Sequence, residues 1–292
     1  MADVVPLVPE SIDDYRRETS KLLINEGDSL KRAIVCSPIT EYFSVKNLSA
    51  HNISEIADHE TAICQHKSMC DLLRSFGCDV IDIPELSGHP NSVFTRDMAV
   101  VMRDGYIRLS MGIATRRGEE FHIADTLDTL GEPCFGRITT PGTVEGGDVI
   151  ICGSTAYIGH TRRTNIEGIR QFSNLMNQAG YEVRVAELPD RFLHLDQTIG
   201  VLDSNRLLVC RDLFPSGFFR GFEIIELSCR TSNVNFICLG PNEIILPRTN
   251  EQVLEAAKRN KIIVHALELS EFAKGMGGPN CLVMPLERSG RV

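Results

Sequence analysis

What most limits how this chain folds is a recurring order of short strands and helices. Runs rich in Val and Ile, bounded by Gly, Asp, Asn or Pro, occur at Arg32–Cys36, Asp79–Ile83, Met98–Met102, Asp148–Cys152, Glu182–Val185, Arg206–Cys210, Asn235–Leu239 and Ile262–Ala266, and read as strands. Segments with helical periodicity lie between them at Glu55–Phe76, Arg117–Leu130, Asn165–Ala179 and Asn250–Asn260. Gly77, Gly131 and Gly180 follow the first three as stop signals. Asp148–Cys152, Thr155–Ile158, the helix from Asn165 and Tyr181–Val185 make one strand–strand–helix–strand unit. A comparable set runs from Met98 through Tyr106–Leu109 and the helix after Arg117. Such units at a spacing of roughly forty to sixty residues predict a pseudo-symmetric α/β array. No long Pro/Gly/Ser linker and no low-complexity segment interrupts residues 1–292, so one domain is expected.

Charge narrows the partners. With 30 Lys and Arg against 39 Asp and Glu, the formal net charge is -9. An acidic surface repels phosphate backbones, so no nucleic acid and no membrane surface is expected as a partner, while a small cation is mildly favoured. No apolar run approaches the ~20 residues that span a bilayer. The N-terminal Met1-Ala-Asp-Val-Val-Pro lacks the pattern of a secretory signal. The 10 cysteines stand at 36, 64, 70, 78, 134, 152, 210, 229, 238 and 281 with no C-x-x-C pair. Most read as reduced, buried small hydrophobes of a cytoplasmic protein.

Four clusters can carry chemistry. Pro90-Asn91-Ser92-Val93-Phe94-Thr95-Arg96-Asp97 places an Arg–Asp pair where a loop enters a strand; by itself it also reads as a surface loop. Val144-Glu145-Gly146-Gly147-Asp148 holds two carboxylates around a glycine bend, suited to a cation, a metal or acid–base work, or simply to a turn. Leu193-His194-Leu195-Asp196 leads into the strand Thr198–Leu202. In extended backbone His194 and Asp196 would share a face, as a metal half-site, a base beside a cation clamp or a satisfied polar pair. Lys274-Gly275-Met276-Gly277-Gly278-Pro279-Asn280-Cys281 spends three glycines just before a cysteine. That cost in backbone entropy makes sense if the backbone wraps a ligand or aims a side chain.

Other chemistries lack support. The glycine loop is not a phosphate-binding G-x-x-x-x-G-K-[ST] loop, and no G-x-S-x-G elbow exists for a serine hydrolase. His194, Asp196 and Cys281 could be gathered round zinc in space, but no short-range ligand spacing supports it. The remaining histidines have no partner pattern; His59 and His66 are placed on the solvated face of the helix from Glu55. Asp13-Asp14-Tyr15-Arg16-Arg17 reads as another solvated helix face that would equally serve as a dimer contact or a lid, so a homo-oligomer stays open.

The four clusters in this order, with Thr115-Arg116-Arg117-Gly118-Glu119 and Thr161-Arg162-Arg163-Thr164-Asn165, resemble the guanidine-modifying penteins over roughly Asn91 to Arg288. That superfamily includes arginine deiminases, dimethylarginine dimethylaminohydrolases and amidinotransferases. The resemblance implies a five-bladed α/β propeller of ββαβ units with the site at its centre. It implies Cys281 as nucleophile, His194 as general acid and base, and Glu145 as the carboxylate beside that histidine. Asp97 and Asp196 match carboxylates that grip guanidinium nitrogens. Asn91 and Phe94 match pocket-lining positions, and Arg116 and Arg163 match the cations that hold the substrate's carboxylate. A covalent thiouronium cycle then follows, with no metal and no organic cofactor. Asp196 in the H-x-D pair points to an unsubstituted guanidine, hence arginine to citrulline and ammonia. The chain length and Arg163–Gly168 look more like the dimethylargininases, and Met276 stands where deiminases place an arginine five residues before the nucleophile. Hydrolysis of arginine is the first expectation, dimethylarginine the second and amidino transfer the third. A non-catalytic binding protein is disfavoured by the presence of both Cys281 and His194.

Overall fold

The computed structural model describes residues 25–228 and 233–289. The Asp13–Arg17 stretch and the N-terminal Met1–Pro6 lie outside them. Among the described residues, the strands form five sheets of three strands each. The units run β3 (Ala99–Met102), β4 (Gly105–Arg108), α2 (Glu119–Thr129), β5 (Cys134–Arg137); β6 (Val149–Cys152), β7 (Thr155–His160), α3 (Ile166–Gln178), β8 (Glu182–Glu187); and β12 (Ile237–Gly240), β13 (Glu243–Pro247), α4 (Glu251–Arg259), β14 (Ile263–Leu267). In each, the first strand pairs antiparallel with the second and the second pairs parallel with the third. A helix is what lets the chain return for that parallel pairing. The ring closes through β15 (Met284–Ser289), which pairs antiparallel with β1 (Ser29–Cys36); β1 continues through α1 (His59–Ser75) to β2 (Asp79–Ile83).

The fourth unit departs from the expected pattern. β9 (Ile199–Val201) and β10 (Arg206–Cys210) reach β11 (Glu223–Leu227) through a single 3-10 turn, Arg211–Leu213, instead of an α-helix. Phe214, Phe218 and Phe219 cover this sheet, with Phe214 and Phe218 stacked at 5.1 Å and Phe219 at 5.7 Å from Tyr157. Rings of this size bury as much apolar area as a short helix face, so the crossover does not need one.

Local sequence explains the elements. Asp58, Asn165 and Asn250 accept hydrogen bonds from the backbone N–H of Thr61, Gly168 and Val253 and so start α1, α3 and α4. Gly77, Gly131 and Gly180 follow α1, α2 and α3 in the left-handed region, at φ 77, 79 and 84°. Strands β3, β6 and β12 are buried along their whole length and read as unbroken apolar runs, the signature of strands covered on both faces. His66 corrects the sequence expectation: it lies inside α1 at 2% exposure, and burial drives its pKa down to about 4. Among the described residues eight cysteines are free thiols, and Cys210 is disulfide-bonded.

Each innermost strand is preceded by a short connecting segment, and the five segments are joined in a ring. Arg96 N donates to Cys281 O at 3.2 Å, Gly147 N to the Asp97 carboxylate at 3.0 Å, and Leu195 N to the Asp148 carboxylate at 3.0 Å. Val234 N donates to Gln197 O at 2.8 Å, and Asn280 N donates to Asn235 Oδ1 at 3.2 Å. The hub of the fold is therefore a closed circuit in which every segment is fixed by its two neighbours.

Candidate active site

Leu193–Asp196 leads into a strand as the sequence suggested, but not through extended backbone. Leu195–Gln197 is a 3-10 turn with His194 as its N-cap, and the strand starts only at Ile199. Gln197 Oε1 reaches back to the backbone N–H of Leu193 at 2.6 Å, which tightens the turn. His194 and Asp196 thus come to the hub through the turn, not through the alternation of a strand. His194 rests on the glycine bend of the third unit: a Cβ on Gly147 would lie 2.6 Å from His194 Nδ1, so a residue without a side chain is needed there.

His194 Nε2 meets Glu145 Oε2 at 2.8 Å, and its Nδ1 stands 3.9 Å from Asp97 Oδ1. Burial opposes a charged imidazole, but the carboxylates of Asp97 and Asp148 and the hydrogen bond to Glu145 outweigh it and lift His194 to about 10. Burial equally opposes a charged Glu145. The hydrogen bond from His194 and the charges of Arg163 and Arg116 hold it well below the usual carboxylate range. The pair is therefore an imidazolium–carboxylate ion pair, with a proton available at neutral pH.

Cys281 lies on the turn into β15, at 6% exposure. Its Sγ is 3.9 Å from Asp196 Oδ2 and 3.6 Å from Asn235 Nδ2. Burial, then the charges of Asp196 and Asp97, push the thiol pKa well up; hydrogen bonds from the Gly278 region and Asn235 work the other way. Asp196 Oδ2 accepts from Asn235 Nδ2 at 2.8 Å and Asn280 Nδ2 at 3.0 Å, while its Oδ1 is buried without a hydrogen-bond partner among the described residues. Burial raises the Asp196 pKa to about 6.

A cavity of about 20 Å³ reaches Cys281, His194 and Asp97, with Asn91, Phe94, Arg116 and Arg163 in its wall and Met276 at its rim. Asp196 borders a separate cavity of about 10 Å³ behind the thiol, facing Glu26 and Arg288. Glu145 stands behind His194 at 0% exposure. The Gly275–Gly278 loop covers Phe94 so closely that a Cβ on Gly277 would lie 2.1 Å from Phe94 Cε1. Met276 takes the left-handed conformation at φ 63° without being glycine. Neither arginine is idle. Arg116 donates to the Asp97 and Glu119 carboxylates at 2.6 and 2.8 Å, and Arg163 donates to Glu145 at 3.0 Å. Arg116 also reaches the carbonyls of Phe94 and Asn91 at 3.2 and 3.4 Å, which fixes the turn that carries Asp97. Asn91 Nδ2 donates to His51 O at 3.2 Å and leaves Oδ1 buried without a partner among the described residues.

Asp97, Glu145 and His194 each put one donor atom within 4.8 Å of the others, the one grouping among the described residues with metal-ligand spacing. A metal there would compete with the proton that both carboxylates stabilise on His194. The structure adds four supporting groups to the site: Asp148, paired with Glu145 in the sequence reading, which accepts from Thr161, Thr164 and Leu195 N; Glu119 and Asn280, which lay inside quoted motifs without a role; and Asn235, which sequence reasoning missed. Glu119 had a local signal in its spacing of three from Arg116, and Asp148 in the glycine bend it shares with Glu145; Asn235 had none.

A thiol, an imidazolium and buried carboxylates meet at the hub of the five sheets, and the likeness to known proteins makes this a guanidino-group hydrolase of the pentein fold. Within that class the chain belongs to the N,N-dimethylarginine dimethylhydrolase family, in its eukaryotic form, which it matches over residues 41–286. It is 31% identical over 230 residues to the N(G),N(G)-dimethylarginine dimethylaminohydrolase of Pseudomonas aeruginosa, covering 77% of this chain and 88% of that protein. The solved structure of a mutant of dimethylarginine dimethylaminohydrolase from Pseudomonas aeruginosa complexed with citrulline superposes with a TM-score of 0.76 at 28% identity, covering 88% of this chain and 99% of that one. An arginine deiminase of Listeria welshimeri is 23% identical over 252 residues, covering 68% of this chain and 62% of that protein. No helix among the described residues is long and apolar enough to cross a membrane.

Proposed function

We propose that the chain hydrolyses the unsubstituted guanidine of arginine, or of a close arginine derivative, to a urea-type product and ammonia, with Cys281 as nucleophile. The observation that carries this reading is the Asp196 carboxylate set 3.9 Å from the Cys281 sulfur, with one oxygen buried and without a hydrogen-bond partner among the described residues. A guanidine carbon in bonding reach of Sγ brings a terminal nitrogen next to that carboxylate, while Asp97 faces the second nitrogen from the wall of the cavity. Two carboxylates for two terminal nitrogens favour two NH2 groups, since a dimethylated nitrogen has no hydrogen to donate.

The bound guanidinium brings positive charge to the thiol and shifts it toward thiolate. Sulfur bonds to the guanidine carbon, the imidazolium of His194 gives its proton to the departing nitrogen, and ammonia leaves a thiouronium on Cys281. Neutral His194 then takes a proton from water, hydroxide bonds to the same carbon, and the sulfur departs as citrulline forms. Glu145 keeps the imidazole oriented through both steps. Asn91 and Phe94 line the pocket, and Arg116 and Arg163 set the cation field for the amino-acid end while they hold Asp97 and Glu145.

A second reading, dimethylarginine to citrulline and dimethylamine, is favoured by the family match and by the Pseudomonas relative. Product analysis with arginine and with dimethylarginine, beside Cys281→Ser, separates the two. Citrulline from arginine that disappears in the variant supports the first reading. Citrulline from dimethylarginine alone replaces it with the second. No product from either substrate overturns both and moves amidino transfer to an amine to the front.

A further inference from the structure

Five segments form the hub, and the site residues already placed account for four of them: Asp97, Glu145, the His194–Asp196 pair and Cys281. The fifth segment, which leads into β12, carries Asn235, buried at 4% exposure. Resting on the reading above, we infer that Asn235 is a further catalytic residue, whose side-chain amide holds the reacting sulfur of Cys281 and stabilises it as thiolate.

The amide orientation is fixed by its partners. Backbone Asn280 N can only donate, and it meets Asn235 Oδ1 at 3.2 Å, so Nδ2 is the atom that faces the site. Nδ2 carries two hydrogens and has two acceptors: Asp196 Oδ2 at 2.8 Å and Cys281 Sγ at 3.6 Å. One amide therefore sets the carboxylate and the thiol in relation to each other and to the chain just before the thiol. The third glycine of the loop follows from this contact, because a Cβ on Gly278 would stand 2.3 Å from Asn235 Oδ1. A neutral donor suits the place. A lysine or arginine there would pair with Asp196 and take its charge away from the substrate cation.

The role is read from the ionisation of the free enzyme, which needs no substrate. Thiolate ultraviolet absorbance is followed against pH for the wild type, Asn235→Ala and Asn235→Asp, with the absorbance of Cys281→Ser subtracted, and folding is checked by circular dichroism. Loss of a hydrogen bond to a charged acceptor predicts about tenfold less thiolate at a given pH in Asn235→Ala, a midpoint about one pH unit higher. Asn235→Asp keeps the shape, replaces the donor with a carboxylate and raises the midpoint further. It stands as the second probe if the alanine variant fails to fold. Folded variants with an unmoved midpoint overturn the inference and leave Asn235 a structural link. Since titration is independent of turnover, a wild type that hydrolyses neither arginine nor dimethylarginine but shows these displacements would defeat the proposed reaction and not the contact.

Discussion

Asp196→Asn keeps the side-chain shape and removes one negative charge 3.9 Å from Cys281 Sγ. Two unit charges about 4 Å apart repel by ~4 kcal/mol at the effective dielectric of ~20 that suits protein sites. At 1.36 kcal/mol per pH unit, that corresponds to a thiol midpoint ~3 units lower in the variant. The direction is unambiguous, because the pKa of Asp196 is about 6 and the group is charged wherever the thiol titrates. Asn235 and Asn280 both donate to Oδ2, and an asparagine oxygen can accept those two bonds in place. Thiolate absorbance, corrected with Cys281→Ser, reads the midpoint, and arginine turnover is measured on the same samples. The variant should hold more thiolate and yet lose ~10- to 100-fold in kcat/KM for arginine, the cost of one charge-assisted hydrogen bond to a substrate nitrogen. An unmoved or raised midpoint would refute the electrostatic reasoning. A lowered midpoint with full arginine turnover would refute the assignment of Asp196 to the substrate.

Further outcomes follow from the same geometry. Gly277→Ala drives a methyl into Phe94, since its Cβ would sit 2.1 Å from Cε1; a loss of ~1–3 kcal/mol in denaturant unfolding is expected, with partial recovery on adding Phe94→Leu. Arg116→Lys replaces a fork that serves Asp97 and Glu119 with a single point charge, and should cost several kcal/mol, on the order of 3–5, by thermal or chemical unfolding. Stability should fall as pH rises from 6 to 10. His194, raised to about 10, contributes fully below its unfolded pKa of ~6.5 and loses that contribution as pH climbs through 10. Burial raises Asp148 to about 7, so its folded form is favoured while protonated and that advantage also goes as pH rises through 7. Thermal midpoints across this range check the slope, and Asp148→Asn should flatten its lower half; a midpoint that rises with pH would contradict both assignments.

The sequence alone determined the alternation of elements and pointed to most of the candidate site residues. Val- and Ile-rich runs, cap residues such as Asn165 and stop glycines such as Gly180 act within a few positions of themselves, so their signals are legible without any partner. Glu145, His194 and Cys281 could be located because glycine bends and an H-x-D pair leave a local mark. What needed the tertiary structure was everything that depends on chain segments far apart. A 3-10 turn at Leu195–Gln197 took the place of the extended backbone that would have put His194 and Asp196 on one face, because Gln197 and Asp148 bind the backbone around it from two sides. His66 went inside because its helix packs with that face toward Phe272, at 6.0 Å. Asn235 carries no motif at all, and becomes visible only when ring closure sets it against Asp196, Asn280 and Cys281. Local preferences decide where a chain bends; which buried groups then share a charge or a proton is fixed by contacts between residues that the sequence keeps apart.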